Sequence, residues 1–311
     1  MIYTITLNPA IDRLIYLNEA LTKRKNNRAD RVAYDIGGKG THGSYAMTQL
    51  GVANLALGFA GEDNADKFQQ ILENKGIPHH FLYVSGSSTR ESLVLIDPNN
   101  QGSTMVTEPS LAVAAKDKRR LIEYLRQHLT KEDMVLVAGS QPQNFELSDL
   151  KELLVTIKQA GSFLACDLSE EALSLAVSVG VDFIKPNEFE IAALSNGIDS
   201  IEQTLQELAK GITCIVASRG EKGCTCYYGG DIYNVTAPKV AEVNDTGAGD
   251  CFVGAFLATF YQTQAIIPSL KMASACAANK VQYEDSSYFV ATEAKELLSQ
   301  VKITQSTSTI C

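Results

Sequence analysis

The sequence predicts an α/β fold, with a central, mostly parallel β-sheet flanked by helices and a small second β-sheet formed by early strands. Three observations predict it. From about residue 130, short apolar runs alternate with amphipathic stretches, the pattern of parallel strands joined by crossover helices. The first 110 residues instead hold partly alternating, polar-flanked runs, as strands with one wet face do. Glycine-rich segments stand just ahead of helical stretches, at 36–40 and at 244–250.

Taken in chain order, residues 1–8 read as a strand, without the basic region and long apolar stretch of a signal peptide. Runs at 13–17, 30–35 and 92–96 supply the small sheet, whose strands fall within about 12–36 and 88–108, and 42–50 is helical. Apolar runs at 134–138, 163–166, 181–184 and 212–217 are buried strands. Between them, 146–160, 187–195 and 200–210 carry helical spacing, as with Leu150, Leu153, Leu154 and Ile157 at i, i+3, i+4 and i+7. The apolar run 251–260 forms a further helix, and the Ser/Thr-rich stretch 304–309 reads as a loose tail. No linker interrupts the chain, so 1–311 is expected to be one α/β domain with the small sheet grafted on.

Composition narrows the function. With 45% hydrophobic, 20% charged and 7% aromatic residues over 311 positions, the chain has the makeup of a globular protein. Its 27 basic against 36 acidic residues give a net charge of −9, which argues against nucleic acid as a partner and requires any anionic ligand to be met by a local site. The seven cysteines contain no C-x-x-C pair; Cys224 and Cys226, two apart in a strand, share one face and suit core packing. Four scattered histidines suggest no metal cluster, and no run approaches the roughly 20 apolar residues of a membrane span. A soluble protein of the reducing cytoplasm is expected.

The strongest chemical signal is Asn244-Asp-Thr-Gly-Ala-Gly-Asp250 ahead of the apolar helix. Glycines at a helix start leave backbone N–H groups bare, and the helix dipole adds partial positive charge, so the turn suits an anion. Asp250 is compatible with a simple cap. Beside a phosphate-sized anion, however, a carboxylate is repulsive unless it takes a proton from the attacking nucleophile.

The second signal is Ile36-Gly-Gly-Lys-Gly40, where Gly37 and Gly38 admit close approach of a ligand and Lys39 offers a point charge. The same region, Gly38 to Gly43, also satisfies G-x-G-x-x-G with Glu62 and Asp63 about 20 residues on, the outline of a dinucleotide site. No Walker A pattern occurs.

Further candidates are weaker. In Lys185-Pro-Asn-Glu-Phe-Glu190, Asn187 and Glu190 stand three apart at a helix start. They fit either water-mediated binding of a hard cation or a capping box. Ser218 and Gly220 follow the strand 212–217, where ligands of open α/β sheets bind, or form a plain turn. Asp12 follows the first strand and Pro9, placed to accept hydroxyl hydrogen bonds or to finish a turn. Arg90 precedes a strand and is either a ligand cation or solvated; His79 and His80 read as solvated.

In combination, Asn-Pro-Ala-Ile-Asp at 8–12, Gly-Gly-Lys-Gly at 37–40, the Asn187/Glu190 pair and Asp-Thr-Gly-Ala-Gly-Asp at 245–250 resemble the ribokinase-like carbohydrate kinases, the phosphofructokinase B family. The opening motif is similar to the hexose-phosphate branch of 1-phosphofructokinases and tagatose-6-phosphate kinases. The resemblance, which runs to about residue 285, implies a three-layer fold with a small β lid often used for dimerisation. It implies Asp250 as base and the amides of Gly247, Ala248 and Gly249 as an anion hole. Asp12, Gly37, Gly38, Lys39 and Arg90 would then contact the sugar phosphate. Lys185, Asn187, Ser218, Gly220, Thr246 and Gly249 would line ATP, with Asn187 and Glu190 organising Mg²⁺ through water. The sequence departs from the branch at Thr41 and His42, where a hydrophobic residue and an amide that helps hold the sugar are usual, and also at 89–92 and 105–110.

The expected function is ATP-dependent phosphorylation of a ketohexose phosphate, fructose 1-phosphate or tagatose 6-phosphate. A kinase of an unphosphorylated sugar or nucleoside, a non-catalytic ligand sensor and a dinucleotide-dependent oxidoreductase are the alternatives.

Overall fold

The strands at the centre of the molecule are apolar at nearly every position because both of their faces are covered. In the computed structural model, which describes residues 1–97, 103–195, 197, 198 and 200–307, strand β1 (Ile2–Thr6) opens the chain. The chain then leaves the main body for β2 (Ala10–Leu17) and β3 (Ala29–Gly37), and returns through helix α1 (Lys39–Gln49) to β4 (Asn54–Gly61), α2 (Ala65–Asn74) and β5 (His79–Val84). It departs again for β6 (Arg90–Ile96) and β7 (Ser103–Thr107). An alternating series follows: α3 (Ala115–His128), β8 (Met134–Ala138), α4 (Leu147–Gln159), β9 (Phe163–Asp167), α5 (Glu170–Val179) and β10 (Phe183–Ile184). After α6 (Glu188–Leu194) and α7 (Ile201–Leu208), strands β11 (Cys214–Ser218), β12 (Cys224–Tyr228) and β13 (Asp231–Val235) form a meander. Helices α8 (Ala248–Thr263), α9 (Ile266–Lys280) and α10 (Ala291–Glu296) and strand β14 (Ile303–Thr307) complete the described chain.

The main sheet has ten strands in the order β14-β13-β12-β11-β10-β9-β8-β1-β4-β5, parallel from β11 to β5 and antiparallel from β11 to β14. Along β8, Val135 and Val137 enter one core with Leu150 and Leu154 of α4, while Met134, Leu136 and Ala138 enter the other with Phe252 and Phe256 of α8. That two-sided burial explains the unbroken apolar runs. The expected packing role of Cys224 and Cys226 holds: both are buried in the second core, with Cys226 Sγ 3.9 Å from Cys214 Sγ.

The second sheet, ordered β3-β2-β6-β7, combines the early polar-flanked strands. Its two central strands, β2 and β6, run parallel and pair Asp12 with Ser92, while β3 and β7 flank them antiparallel.

Two expectations need correction. The Ser/Thr-rich stretch from Thr304 is not a loose tail: β14 pairs antiparallel with β13, so those residues close one edge of the main sheet, and residues 308 and 309 lie outside the described chain. β-branched residues such as Ile303 and Thr304 favour a strand even in a largely polar stretch. The strand expected at 181–184 shortens to two residues, because Val181 still closes the preceding helix by donating to the Ala176 carbonyl and Pro186 stops the ladder on the other side.

Candidate functional site

Parallel strands bring their carboxyl ends to one edge of a sheet, and the residues just beyond those ends form a single crevice. Here Asn8 follows β1, Ser140 follows β8, Asp167 ends β9, Lys185 follows β10 and Ser218 ends β11. Asn8 Nδ2 donates to Ser140 Oγ at 3.0 Å, and Asn187 bridges Ser218 as an isolated parallel pair.

Into this crevice points the amino end of α8. Gly247, at φ +77°, makes the turn that starts the helix, and a Cβ there would strike the Ser286 carbonyl oxygen, so the position tolerates only glycine. The Ala248 N–H donates to the Asp245 carbonyl at 3.0 Å, closing the turn. The other N–H groups of the first helical turn have no carbonyl behind them within the helix. Beside the turn lies the Lys185 ammonium, 3.5 Å from where a Cβ on Gly249 would sit.

Asp250 stands in that first turn with its side chain 14% exposed. Its Oδ2 accepts from His42 Nδ1 at 2.8 Å. Burial alone would raise its pKa, but His42, Lys39 and Lys185 outweigh that and hold it below the usual carboxylate range. Lys39 donates to Asp167 Oδ1 at 3.1 Å; burial would lower its pKa, and Asp167 with Asp250 more than reverse this. Sequence reasoning missed Asp167, although its place at the carboxyl end of a strand was a signal for it.

The small sheet forms the opposite wall. Asp12 is buried, and burial pushes its carboxyl up to about 6 despite the nearby His42 ring. Gly37 lies so close to Asp12 that a Cβ would strike its Oδ1. Gly38, at φ +108°, turns the chain into α1, and Thr41 Oγ1 folds back on the Gly37 and Gly38 carbonyls at 2.9 and 2.6 Å. Arg90 donates through Nη2 to the Asn8 carbonyl at 3.1 Å, while its buried Nε has no protein acceptor among the described residues.

Asn187 and Glu190 form the capping box: Asn187 Oδ1 accepts from the N–H groups of Phe189 and Glu190 at 2.9 Å, and Glu190 Oε2 accepts from the Asn187 N–H at 2.9 Å. Ser169 Oγ occupies Glu190 Oε1 at 2.8 Å. Ser218 donates its backbone N–H to the Pro186 carbonyl at 2.9 Å, and Gly220 is exposed at φ +55° in a short helical turn. Thr246 is held from the small sheet, its Oγ1 2.8 Å from Ser103 Oγ.

The dinucleotide reading of Gly38–Gly43 fails on topology. Such a fingerprint needs a strand of the parallel sheet leading into the glycines, whereas β3 is an antiparallel edge strand of the small sheet.

Behind the Gly247 turn lies a network without a sequence signal. Lys280, fully buried, donates to the Asn244 carbonyl at 2.8 Å. Asn244 Oδ1 in turn accepts the Thr246 N–H at 3.0 Å, and its Nδ2 donates to the Glu284 carbonyl at 2.8 Å. A lysine on an amphipathic helix reads as solvated, which is why this clamp escapes sequence analysis. Burial pushes the Lys280 pKa down to about 8, with Cys251, Asp245, Asp35 and Asp285 opposing it. Below pH 8 the native state bears the cost of a buried charge. Between about 8 and 10.5 the folded protein releases a proton that the unfolded chain retains, so stability from this residue rises with pH. The stability of the native protein relative to Lys280→Met, by urea denaturation, should therefore increase from pH 7.5 to 10; a flat difference would show that Lys280 titrates normally.

Among the described residues, no helix is long and apolar enough to cross a membrane, and no group of three or more His, Cys, Asp or Glu side chains is placed to hold a metal ion directly.

A family model described as pfkB family carbohydrate kinase matches residues 5–293. The chain is similar to 1-phosphofructokinase of Bacillus subtilis (strain 168), 28% identical over 268 residues covering 83% of this chain and 85% of that protein. It is likewise similar to 1-phosphofructokinase of Escherichia coli (strain K12), 29% identical over 280 residues, 88% and 89% of the two chains. The crystal structure of phosphofructokinase-2 from Escherichia coli in complex with substrates and products matches in fold, with a TM-score of 0.90 at 22% identity over 96% of this chain and 98% of that one. The family match spans the crevice from Asn8 to the start of α8 and takes in the whole small sheet and most of the main one, and on that ground this chain belongs to the pfkB family of carbohydrate kinases.

Proposed function

We propose that this kinase transfers the terminal phosphoryl group of ATP to a hydroxyl of a ketohexose phosphate, with fructose 1-phosphate or tagatose 6-phosphate as acceptor. The observation that carries it is Asp250, an ionised carboxylate in the first turn of α8, flanked by the Gly247 turn and by the ammonium groups of Lys185 and Lys39. Relatives named 1-phosphofructokinase support a phosphorylated ketose as acceptor.

In this reading Asp250 accepts the hydroxyl proton while that oxygen attacks phosphorus in line. Gly247 and Gly249 contribute amides to the developing charge, since the Ala248 N–H is spent on its own turn. Lys185 lies against the transferring group. Asn187, Ser218, Gly220 and Thr246 line the nucleotide. Glu190, whose carboxylate keeps lone pairs beyond those spent on Ser169 and the Asn187 N–H, would with Asn187 hold a hard cation through water; Mg²⁺ bound there would neutralise charge on the phosphates. Asp12, Gly37 and Gly38 face the sugar, and Arg90, with its Nε unpartnered, and Lys39 meet its phosphate. The small sheet acts as a lid that excludes water, a competing acceptor. Its exposed Val32, Tyr34 and Val106 offer a surface for a homodimer, and the assembly operates in the cytoplasm.

ADP release with Mg-ATP across fructose 1-phosphate, tagatose 6-phosphate and unphosphorylated ketoses tests the reading. Turnover confined to one phosphorylated ketose supports it, and silence across the panel from folded protein overturns it. Lys39→Met should raise KM for the sugar phosphate roughly 10- to 100-fold, as expected for a charge-assisted hydrogen bond of about 1.5–3 kcal/mol, with KM for ATP nearly unchanged. An unaltered sugar-phosphate KM would remove Lys39 from that role.

A further inference from the structure

We propose that His42 is the positioning residue of the base: an imidazolium that grips Asp250 by Oδ2, leaves Oδ1 for the acceptor hydroxyl, and anchors the carboxylate to the end of β3. The inference rests on Asp250 serving as the base.

Geometry sets the tautomer and, with Asp250 ionised, the charge. His42 Nε2 lies 2.9 Å from the Ile36 carbonyl oxygen, an atom that can only accept, so Nε2 carries hydrogen. His42 Nδ1 lies 2.8 Å from Asp250 Oδ2, and an ionised carboxylate also only accepts. With both ring nitrogens donating, the ring is cationic. The surroundings agree: Asp12 Oδ2 of β2 is 3.8 Å from Nε2, and Asp35 of β3 adds a third carboxylate, itself neutralised by Lys75 at 2.7 Å. Burial would lower the His42 pKa, but Asp250, Asp12 and Asp35 raise it to about 9. Lys39 of α1 and Lys185 beyond β10 face Asp250 from its remaining sides.

An amide at position 42 could imitate one of these hydrogen bonds but not the charge. Without the cation, Asp250 would face Asp12 and Asp35 with less compensation, its pKa would rise, and the base would be protonated at a higher pH. A residue that only fills space would not move that midpoint.

Two readouts test this. In ¹⁵N-histidine-labelled protein, with the His42 signal identified by its loss in His42→Asn, the ring should remain cationic past pH 8, and in Asp250→Asn its midpoint should fall by more than about one pH unit. In His42→Asn, the acid limb of the kcat/KM profile should move up by about one pH unit or more, with KM for ATP unchanged. A His42 that is neutral at pH 7 in the native protein, or a His42→Asn profile with the native acid limb, overturns the proposal. Native turnover in Asp250→Asn would instead overturn Asp250 as the base, and this proposal with it.

Discussion

Asp250→Asn is expected to lower kcat by about 10²–10⁴-fold, the usual contribution of a positioned general base, while leaving ATP and sugar-phosphate binding largely intact. The substitution keeps the shape of the side chain and removes its proton affinity. Binding should survive because the groups proposed to meet the ligands, Lys185, Lys39, Arg90 and the Gly247 turn, are untouched. Removing a negative charge from beside two phosphorylated ligands also relieves repulsion, so nucleotide affinity should hold or rise slightly. Calorimetric titration of the variant with Mg-ATP, beside steady-state ADP release, separates the two effects. Equal loss of binding and turnover would mean that Asp250 builds the site rather than works in it.

The second large effect is expected at Gly254, one helical turn beyond Asp250. There α8 crosses α1 backbone to backbone: a Cβ on Gly254 would run into the Gly43 carbonyl oxygen and would lie 2.8 Å from both Gly43 Cα and Ala46 Cβ. Neither helix can yield without moving, since each buries its other face in the core. Gly254→Ala should cost about 1–3 kcal/mol, the range for inserting a methyl group into a well-packed contact, and Gly254→Leu more. The contact also sets the spacing between the residue before Gly43 and the carboxylate one turn before Gly254, the His42–Asp250 pair. A drop in kcat should therefore accompany the loss of stability, even at temperatures where the variant is fully folded. Urea midpoints together with kcat at 15 °C check both, and a Gly254→Ala protein with native stability and rate would refute the close crossing.

How much of this was legible in the sequence follows from the range of each interaction. Strands β8, β9 and β11 and helix α4 carry their partners in their own periodicity, because burial on both faces or one stripe leaves a local pattern. The turn at 245–250 was equally readable, since a glycine that must adopt positive φ and a carboxylate in a first helical turn are local requirements. His42, Asp35, Asp167 and Lys280 were different. Each matters through a partner far along the chain, such as His42 with Asp250 or Lys280 with Asn244, and nothing in the neighbouring residues announces that partner. The capping box at Asn187 and Glu190 shows the reverse case: the local pattern was visible, and what it does beyond capping depends on a ligand the pattern does not contain.

The loop at 284–287 connects parts that look separable. Asp35 of β3 accepts from Ser286 and Ser287, Arg31 of the same strand pairs with Glu284 at 2.5 Å, and the Glu284 carbonyl accepts from Asn244, next to the Gly247 turn. The small sheet and the Gly247 turn are thus bolted to one bracket. The consequence is one of modularity. A small sheet transplanted from a relative would arrive without its own bracket and would disturb the Gly247 turn as well. The unit that can be exchanged between such enzymes is the sheet together with residues 284–287, and chimeras cut at the ends of β2, β3, β6 and β7 alone should lose rate on every acceptor rather than acquire a new one.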